Sequence, residues 1–218
     1  MEEITSIILF GAPGSGKGFL GECIQEKIIN QQIVTKEQIG YISTGNLLRS
    51  EVASNSSLGQ EISQTIASGK LVSDEIVNAL VEKALNGTQK IIFIDGYPRT
   101  HSQLEAFLSI VEKKGITLFS IKRDTPTDLI LQRVLKRRVC ETCKSTHSVD
   151  DGKCPKCGGK SIIRKDDAVI DKRLLEYEQN TASIWETLVA VSQKSISIDG
   201  CIEATNASQM IVEYFYSN

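Results

Sequence analysis

The sequence lacks an excess of basic residues, a long apolar run and a recognisable targeting segment. Of its 218 residues, 25 are Lys or Arg and 27 are Asp or Glu, so the formal net charge is −2. This balance argues against nucleic acid or an anionic membrane as a partner. No stretch approaches the ~18 apolar residues of a spanning helix, and the acidic N-terminus does not resemble a signal peptide. We expect a soluble, cytoplasmic protein.

Histidine is scarce, and cysteine is distributed unevenly. His101 is interpreted as an exposed turn residue rather than a catalytic base, and His147 as a surface residue rather than a substitute metal ligand. Of the six cysteines, Cys23 and Cys201 stand singly in apolar settings, and the other four form two Cys-x-x-Cys pairs. Because nothing indicates an oxidising compartment, we do not expect a disulfide framework.

The paired cysteines predict a structural metal site. The stretch from Cys140 to Lys165 is rich in Gly, Lys, Cys and Asp, and it has too few large apolar residues to build a core of its own. Two Cys-x-x-Cys elements separated by 10 residues suit a tetrahedral four-thiolate zinc site, which leaves no open position for catalysis. Free thiols, a redox pair and an iron site are the alternatives. The predicted zinc ligands are Cys140, Cys143, Cys154 and Cys157.

Short continuous apolar runs predict strands that are buried on both faces, as in a parallel sheet. These runs are Ser6–Phe10, Gly40–Ser43, Lys90–Asp95, Thr117–Lys122 and Ser195–Asp199. Helical patterns lie between them, and this alternation implies right-handed crossovers. We therefore predict an α/β fold with a doubly wound, five-stranded parallel sheet. Two stretches interrupt it: a polar, helical one from residue 43 to 73, and the cysteine-rich one.

Capping signals mark two helix starts. Ser73 precedes Asp74 and Glu75, which predicts an N-cap followed by an acidic first turn. Thr125 precedes Pro126, which predicts a second helix with Thr125 as its cap and proline at the first helical position.

A phosphate-binding loop is predicted within FGAPGSGKGFL, residues 10–20. The stretch follows a predicted strand and precedes a helical pattern, which is the context that the G-x-x-x-x-G-K motif requires. Its glycines let backbone N–H groups point at phosphate oxygens, and Lys17 adds positive charge at the β- and γ-phosphates. The alternative is a glycine-rich turn with a surface lysine. The predicted ATP-binding residues of the loop are Gly14, Ser15, Gly16, Lys17, Gly18 and Phe19.

A second anion site is predicted at the end of the strand that finishes with Asp95. Arg99 follows this strand, at the edge where open α/β sheets bind ligands, and an arginine fork suits a phosphate group. Asp95 is predicted to hold Mg²⁺ through water, because Mg²⁺ keeps several waters and uses few carboxylates. The alternative is that Asp95 only forms a turn with the glycine after it.

Several motifs together resemble adenylate kinase of the type with a long, metal-stapled lid. They run over nearly the whole chain in that family's order: GAPGSGKG (11–18), YISTGNLLR (41–49), SGKLVSDEIV (68–77), DGYPRT (95–100), RRVCETC (137–143), RKDD (164–167) and KRLLEYEQNTASI (172–184). The resemblance implies a P-loop NTPase-like core and a monomeric, Mg²⁺-dependent kinase that catalyses ATP + AMP ⇌ 2 ADP under a closing lid. It assigns 1–42, 74–137 and 168–218 to the core, 43–73 to a nucleoside monophosphate (NMP)-binding insertion and 138–167 to the lid.

The same resemblance implies roles for individual residues. Arg133 packs on the ATP base, and Gln103 contacts the adenine edge of AMP. Asp166 and Asp167 match the family's paired lid carboxylates. The implied AMP-binding residues are Thr44, Arg49, Lys70, Leu71, Val72, Gly96, Arg99 and Gln103. The implied catalytic residues are Lys17, Arg99, Arg137, Arg164 and Arg173.

The sequence departs from the family pattern at three places. Phe19 and Leu20 replace the usual Thr-Gln, and Asn46 replaces a second acidic residue. The run from Asp167 to Arg173 is shorter by two residues than the family's, and we expect a trimmed loop rather than a misplaced arginine. These departures leave alternatives open: a nucleotide-binding pseudoenzyme with little or no turnover, or a related NMP kinase. A zinc ribbon that contacts nucleic acid is a weaker one.

Overall fold

The structure is a computed structural model that describes residues 4–54, 56–68, 71–87, 89–143, 145–148 and 152–216. Of residues 165 and 166 it describes the backbone alone. The strands are β1 (Ile4–Phe10), β2 (Ile39–Ser43), β3 (Ile91–Asp95), β4 (Ile116–Asp124), β5 (Arg138–Cys140), β6 (Thr146–His147), β7 (Ser161–Ile162) and β8 (Lys194–Asp199). The helices are α1 (Lys17–Asn30), α2 (Thr44–Ala53), α3 (Ser57–Ala67), α4 (Asp74–Ala84), α5 (His101–Lys114), α6 (Thr127–Lys136), α7 (Ile170–Glu176), α8 (Ile184–Val191) and α9 (Ala204–Tyr216).

Five parallel strands form the central sheet in the order β2-β3-β1-β4-β8, which confirms the predicted fold class. Alternate residues of β1 enter two hydrophobic cores, one on each face. Ile8 and Phe10 belong to one core, and Ile7 and Leu9 to the other. Because both faces are covered, the strand reads as a continuous apolar run rather than as an alternating one.

The carboxyl ends of three neighbouring strands meet at one edge of the sheet. Leu9 pairs with Asp95 across β1 and β3, and Ser43 pairs with Asp95 across β2 and β3. The phosphate loop (residues 11–18) leaves β1 here, and the loop Asp95–Thr100, which we call the acceptor loop, leaves β3. The topology thus brings together the two sequence motifs to which phosphate binding was assigned.

The two capping predictions are only partly right. α4 begins at Asp74 after Ser73, as predicted, but the Ser73 side chain makes no capping hydrogen bond. The second helix, α6, begins at Thr127, and its N-cap is Pro126 rather than Thr125. The Thr125 hydroxyl instead donates to the Ser15 carbonyl oxygen of the phosphate loop at 3.1 Å, so a tertiary contact takes the group that a local cap would have used.

The two stretches that interrupt the sheet pattern differ from each other. Between residues 43 and 73 the described residues form α2 and α3 and no strand, as predicted. The cysteine-rich stretch contains a small antiparallel sheet, β6-β5-β7, which the sequence did not predict. Its strands are two or three residues long, too short for an apolar repeat to mark them.

After this small sheet the chain returns to the core through helical turns. A 3₁₀ segment, Lys165–Val169, leads into α7, and a π-helical turn, Tyr177–Thr181, follows it. Among the described residues, none of the helices combines the length and apolar character needed to cross a membrane.

Candidate active site

A cavity of about 1690 Å³ lies at the carboxyl edge of the sheet, between the phosphate loop and the acceptor loop. Most of the predicted nucleotide-binding residues line it. On the phosphate-loop side they are Gly14, Gly16, Lys17, Gly18, Phe19, Arg133, Arg137, Arg164 and Arg173. On the acceptor side they are Thr44, Arg49, Leu71, Val72, Asp95, Gly96, Arg99 and Gln103. Ser15 is fully buried behind the loop, and Lys70 lies outside the described residues.

Glycine is required in the phosphate loop for both conformation and space. Gly16 caps α1 with φ of 88°, a left-handed conformation that residues with a side chain rarely adopt. At Gly14, φ is 84°, and a Cβ would lie 2.8 Å from the Cγ2 atoms of both Ile130 and Val134. The close approach of α6 therefore excludes a side chain at this position.

Lys17 sits among charged groups from separate elements. Its Nζ donates to the Ala12 carbonyl oxygen at 3.2 Å, which holds the amine over the phosphate loop. Burial lowers the pKa of Lys17; Asp95 opposes this shift and nearby Arg99, Arg173 and Arg137 add to it, so that the pKa is about 8. A cationic cluster of this kind is suited to a polyanion, whose charge favours the protonated amine.

Tyr41 holds Asp95 beside the phosphate loop, a role that the sequence analysis missed. Its hydroxyl donates to Asp95 Oδ2 at 3.3 Å, and burial followed by the Asp95 charge raises the pKa of the phenol. A Cβ at Gly18 would lie 3.3 Å from Asp95 Oδ2 and 3.5 Å from Tyr41 Oη. The absence of a side chain at Gly18 therefore leaves room for this carboxylate.

Two arginines bond the turn after β8, and one of them, Arg133, also bonds the phosphate loop. Arg133 donates to the Ser15 carbonyl oxygen at 3.0 Å and to the Gly200 carbonyl oxygen at 2.8 Å. Arg123 donates to the carbonyl oxygens of Gly200 at 3.2 Å and Ile202 at 2.8 Å. Burial, and then the nearby Arg133, lower the pKa of Arg123, which is only 3% exposed. The sequence analysis missed this role of Arg123, which lies in β4 beyond the end of the predicted strand at Lys122.

The arginines that follow α6 are organised by one buried carboxylate. Asp167 accepts from Arg137 Nε at 2.9 Å and also from Arg137 Nη2. Arg164 Nε lies 3.9 Å from Asp167 Oδ1. A bidentate pair of this kind fixes the plane of a guanidinium group. The side chain of Asp166, the other predicted carboxylate, lies outside the described part of the chain.

The short run before Arg173 does not remove this residue from the cavity. Arg173 sits in α7, which follows the 3₁₀ segment Lys165–Val169, and it lines the cavity close enough to Lys17 to influence the pKa of Lys17. That the loop is trimmed relative to the family stays a prediction.

The acceptor loop is tightly bonded around Gly96. The Gly96 carbonyl oxygen accepts from Thr44 Oγ1 at 2.8 Å and from Arg99 Nε at 2.7 Å. At Gly96, φ is 80°, and a Cβ would lie 2.8 Å from Arg99 Nη2 and 2.9 Å from Thr44 Oγ1. On α2, Asn46 Oδ1 accepts from Arg49 Nη2 at 2.7 Å. Asn46, one of the residues that depart from the family pattern, thus contacts Arg49, one of the two arginines predicted to bind the AMP phosphate.

The four predicted zinc ligands form the only cluster of this kind in the described part of the chain. Their sulfur atoms lie within 4.8 Å of one another, with Cys140 and Cys157 at 3.5 Å and Cys143 and Cys154 at 3.6 Å. Tetrahedral ligation with Zn–S bonds of about 2.3 Å places sulfurs ~3.8 Å apart, so the cluster fits this ion. The Ser145 hydroxyl lies 3.0 Å from Cys143 Sγ and, with the backbone of Ser145, lowers the pKa of that thiol to about 6.

Comparison with known proteins agrees with this geometry. The family model for adenylate kinase matches residues 9–192. The chain belongs to the adenylate kinase family. It is 30% identical to the adenylate kinase of Thermosipho melanesiensis over 218 residues, which cover 95% of this chain and 97% of the relative. It is 35% identical to the adenylate kinase of Mycoplasmopsis pulmonis over 192 residues, 83% and 85% of the two chains. The adenylate kinase of Treponema denticola is 32% identical over 218 residues, 95% and 96% of the two chains.

Membership of the adenylate kinase family settles the class of activity. The protein is a phosphotransferase with adenylate kinase relatives along its whole length, and ATP and AMP are the substrates that the family implies. The two alternatives, a nucleotide-binding pseudoenzyme and a related NMP kinase, are not favoured. The cysteine cluster is compatible with a structural metal.

His101 is exposed, as predicted, and His147 is half-buried rather than on the surface. His101 is the first residue of α5 rather than part of a turn, and its Nε2 lies 3.0 Å from Ser183 Oγ. His147 lies in β6, lines the cavity and places its Nε2 2.9 Å from Ser161 Oγ.

Proposed function

We propose that the enzyme transfers the γ-phosphoryl group of ATP reversibly to AMP and forms two molecules of ADP. The observation that carries this proposal is the convergence of Lys17, Arg99, Arg137 and Arg173 on one cavity. The first two come from the loops after β1 and β3, and the other two come from the end of α6 and from α7. Phosphoryl transfer needs positioning and neutralisation of charge rather than a protein nucleophile, and this cluster supplies both.

We assign the two nucleotides to opposite sides of the cavity. The ATP phosphates bind the phosphate loop and Lys17, and the base lies beside Arg133, whose plane is held by bonds to Ser15 and Gly200. AMP binds the acceptor side, with Arg49 and Arg99 on its phosphate. Arg137, Arg164 and Arg173 face the group that is transferred. The AMP-binding set is Thr44, Arg49, Lys70, Leu71, Val72, Gly96, Arg99 and Gln103.

We assign residues 1–42, 74–137 and 168–218 to a core, 43–73 to an NMP-binding insertion and 138–167 to a lid. The lid carries Arg164 and Asp167, and Asp167 pairs with Arg137 at the lid boundary. Closure of the lid would exclude water and so prevent ATP hydrolysis. Opening of the lid would then limit turnover.

We propose two metals with different roles. Asp95 would hold Mg²⁺ through water, and its carboxylate is fixed by Tyr41 beside Gly18. Mg²⁺ bound with the nucleotide neutralises charge on the β- and γ-phosphates. Zinc on Cys140, Cys143, Cys154 and Cys157 would be structural, because four protein ligands leave no open position for catalysis.

We further propose that the enzyme acts in the cytoplasm as a monomer. Every residue assigned to the nucleotides comes from one chain, so the cavity needs no partner copy. The six cysteines carry no disulfide, as is usual in a reducing compartment. Size-exclusion chromatography with light scattering tests the monomer; a stable dimer at assay concentrations would contradict it.

A coupled assay for ADP formation tests the reaction. Wild type with ATP, AMP and Mg²⁺ should turn over, and Lys17→Ala and Arg99→Ala should each be strongly impaired. Replacing AMP with CMP, GMP or UMP should give little activity. Wild-type activity no higher than that of the two variants would contradict the proposal, and activity with CMP or UMP above that with AMP would assign the enzyme to a related NMP kinase.

A further inference from the structure

Asp74 bonds two residues at the end of the acceptor loop and just beyond it, Thr100 and Gln103. It is the first residue of α4 and is half-buried. Both of its carboxylate oxygens accept hydrogen bonds from the region after β3: Oδ2 from Thr100 Oγ1 at 2.8 Å, and Oδ1 from Gln103 Nε2 at 2.8 Å. Two directional contacts from one carboxylate to α5 and its cap hold these side chains in a defined orientation.

These contacts fix which end of the Gln103 side-chain amide is oxygen and which is nitrogen. Gln103 Oε1 accepts from the Arg99 backbone N–H at 2.8 Å, while Nε2 donates to Asp74. A peptide N–H can only donate and a carboxylate can only accept. Reversing the amide would therefore set donor against donor and acceptor against acceptor, and Gln103 is locked in one orientation.

The locked amide still has bonding capacity. A primary amide has two N–H donors and two lone pairs on its oxygen, and each anchor uses one of them. Gln103 is only 1% exposed, but it lines the cavity on the acceptor side. One lone pair of Gln103 Oε1 and one N–H of Gln103 Nε2 therefore remain for a ligand. Asp74 and the Arg99 backbone N–H determine which of the two positions is the acceptor and which is the donor.

We propose that Asp74 is a positioning residue that makes the acceptor site select adenine over 6-oxopurines. The inference rests on the proposed AMP site. Adenine presents its N6 amino donor next to a ring-nitrogen acceptor, which complements the remaining acceptor and donor of Gln103. Guanine and hypoxanthine carry an oxygen at position 6, so this acceptor would face the oxygen of the locked amide. Asp74 acts on the base only through Gln103.

The test compares AMP with IMP, which differ at position 6, in wild type and in Asp74→Asn. The asparagine side chain has the same shape but is neutral and can present its NH2 group to Gln103, so the anchor on Gln103 Nε2 loses the charge assistance of the carboxylate and is weakened. Each good bidentate base contact discriminates by about 5–150-fold, so we expect wild type to prefer AMP within that range. The variant should lose part of this preference, up to about 2–12-fold for one hydrogen bond, mainly through a higher KM for AMP, with kcat and the KM for ATP nearly unchanged.

Glu75→Gln is the matched control. Glu75 is the exposed neighbour in the same acidic first turn of α4, so this variant loses the same charge without touching Gln103. Its AMP:IMP ratio should equal that of wild type. The ratio of kcat/KM values for two substrates does not depend on the fraction of folded enzyme, so it can be read even if Asp74→Asn is less stable.

A double-mutant cycle with Gln103→Leu isolates the proposed route. In that background, Asp74→Asn should not change the AMP:IMP ratio further. The inference is overturned if Asp74→Asn leaves the AMP:IMP ratio unchanged, if Glu75→Gln lowers the ratio as much, or if the two substitutions act additively. Failure of the proposed function is distinguishable, because wild type would then phosphorylate neither AMP nor IMP.

Discussion

The sheet edge and the cysteine-rich lid hold the charges of the cavity by different means. At the sheet edge, Lys17 and Asp95 follow strands whose two faces are covered by the hydrophobic cores. In the proposed lid, Arg164 follows a small sheet next to four cysteines. The position of Lys17 thus depends on apolar burial of the strand before it, whereas the position of Arg164 depends on a segment that contains the proposed metal site.

The largest expected effect is that of Lys17→Ala, which should reduce catalysis without affecting folding. Lys17→Ala should lower kcat/KM by roughly 10²–10³-fold, the usual effect of removing one group that stabilises charge in the transition state. Because Lys17 is not part of the cysteine cluster, zinc content and the thermal unfolding curve should stay close to those of wild type. The coupled assay, a colorimetric zinc assay and circular dichroism measure the three properties. Loss of zinc in this variant would contradict the view that the sheet edge and the cysteine-rich segment are stabilised independently.

The second expected effect separates the lid from the core. Cys154→Ser removes a buried thiolate ligand, so the variant should lose its zinc and most of its activity while keeping the far-ultraviolet circular dichroism of the core. Cys201→Ser is the control, because Cys201 is exposed and lies outside the cluster. Unchanged zinc content in Cys154→Ser, or an equal loss in Cys201→Ser, would contradict a four-thiolate site.

The third expected effect is a pH dependence that belongs to Lys17. With a pKa of about 8, the amine is charged below pH 8 and binds phosphate without taking up a proton. Above pH 8 it is increasingly neutral in the free enzyme and must be protonated on binding, because phosphate favours the charged form. ATP affinity should therefore fall as pH rises above 8, by up to about tenfold per pH unit.

Isothermal titration calorimetry of ATP at pH 8.5, in two buffers of different ionisation enthalpy, measures this proton uptake. Wild type should take up a fraction of a proton on binding. Lys17→Arg keeps its charge at this pH and should take up less. Equal uptake in the two proteins would assign the proton to another group.

The smallest expected effect concerns the residue at which the phosphate loop departs from its family. Phe19 is 53% exposed, so Phe19→Thr should cost little stability. It restores a hydroxyl at the edge of the phosphate site, and one such hydrogen bond contributes about 0.5–1.5 kcal/mol, or a rise in kcat/KM of about 2–12-fold. Phe19→Leu, which has no hydroxyl, is the control. A decrease with threonine would mean that the aromatic ring itself contributes to ATP binding.

The strands and the phosphate loop could be predicted because their signals are local. A fully buried strand reads as a continuous apolar run, and a phosphate loop needs glycine at fixed spacing, as Gly14 and Gly16 illustrate. Tyr41, Asp74 and Arg123 were missed for the opposite reason. Each acts through partners that are distant in the sequence, namely Asp95, Gln103 and the turn after β8.

By itself, the sequence determined the fold class, the family, the two phosphate-binding motifs and the four cysteines, because apolar runs and motif spacing are properties of neighbouring residues. Tertiary structure decided the partners. It turned Thr125 from a cap into a bond to Ser15, kept Arg173 in the cavity despite a shortened run, and placed Asp74 behind Gln103. These outcomes depend on which strand ends the parallel sheet brings to one edge, and only the packing of the complete chain determines that.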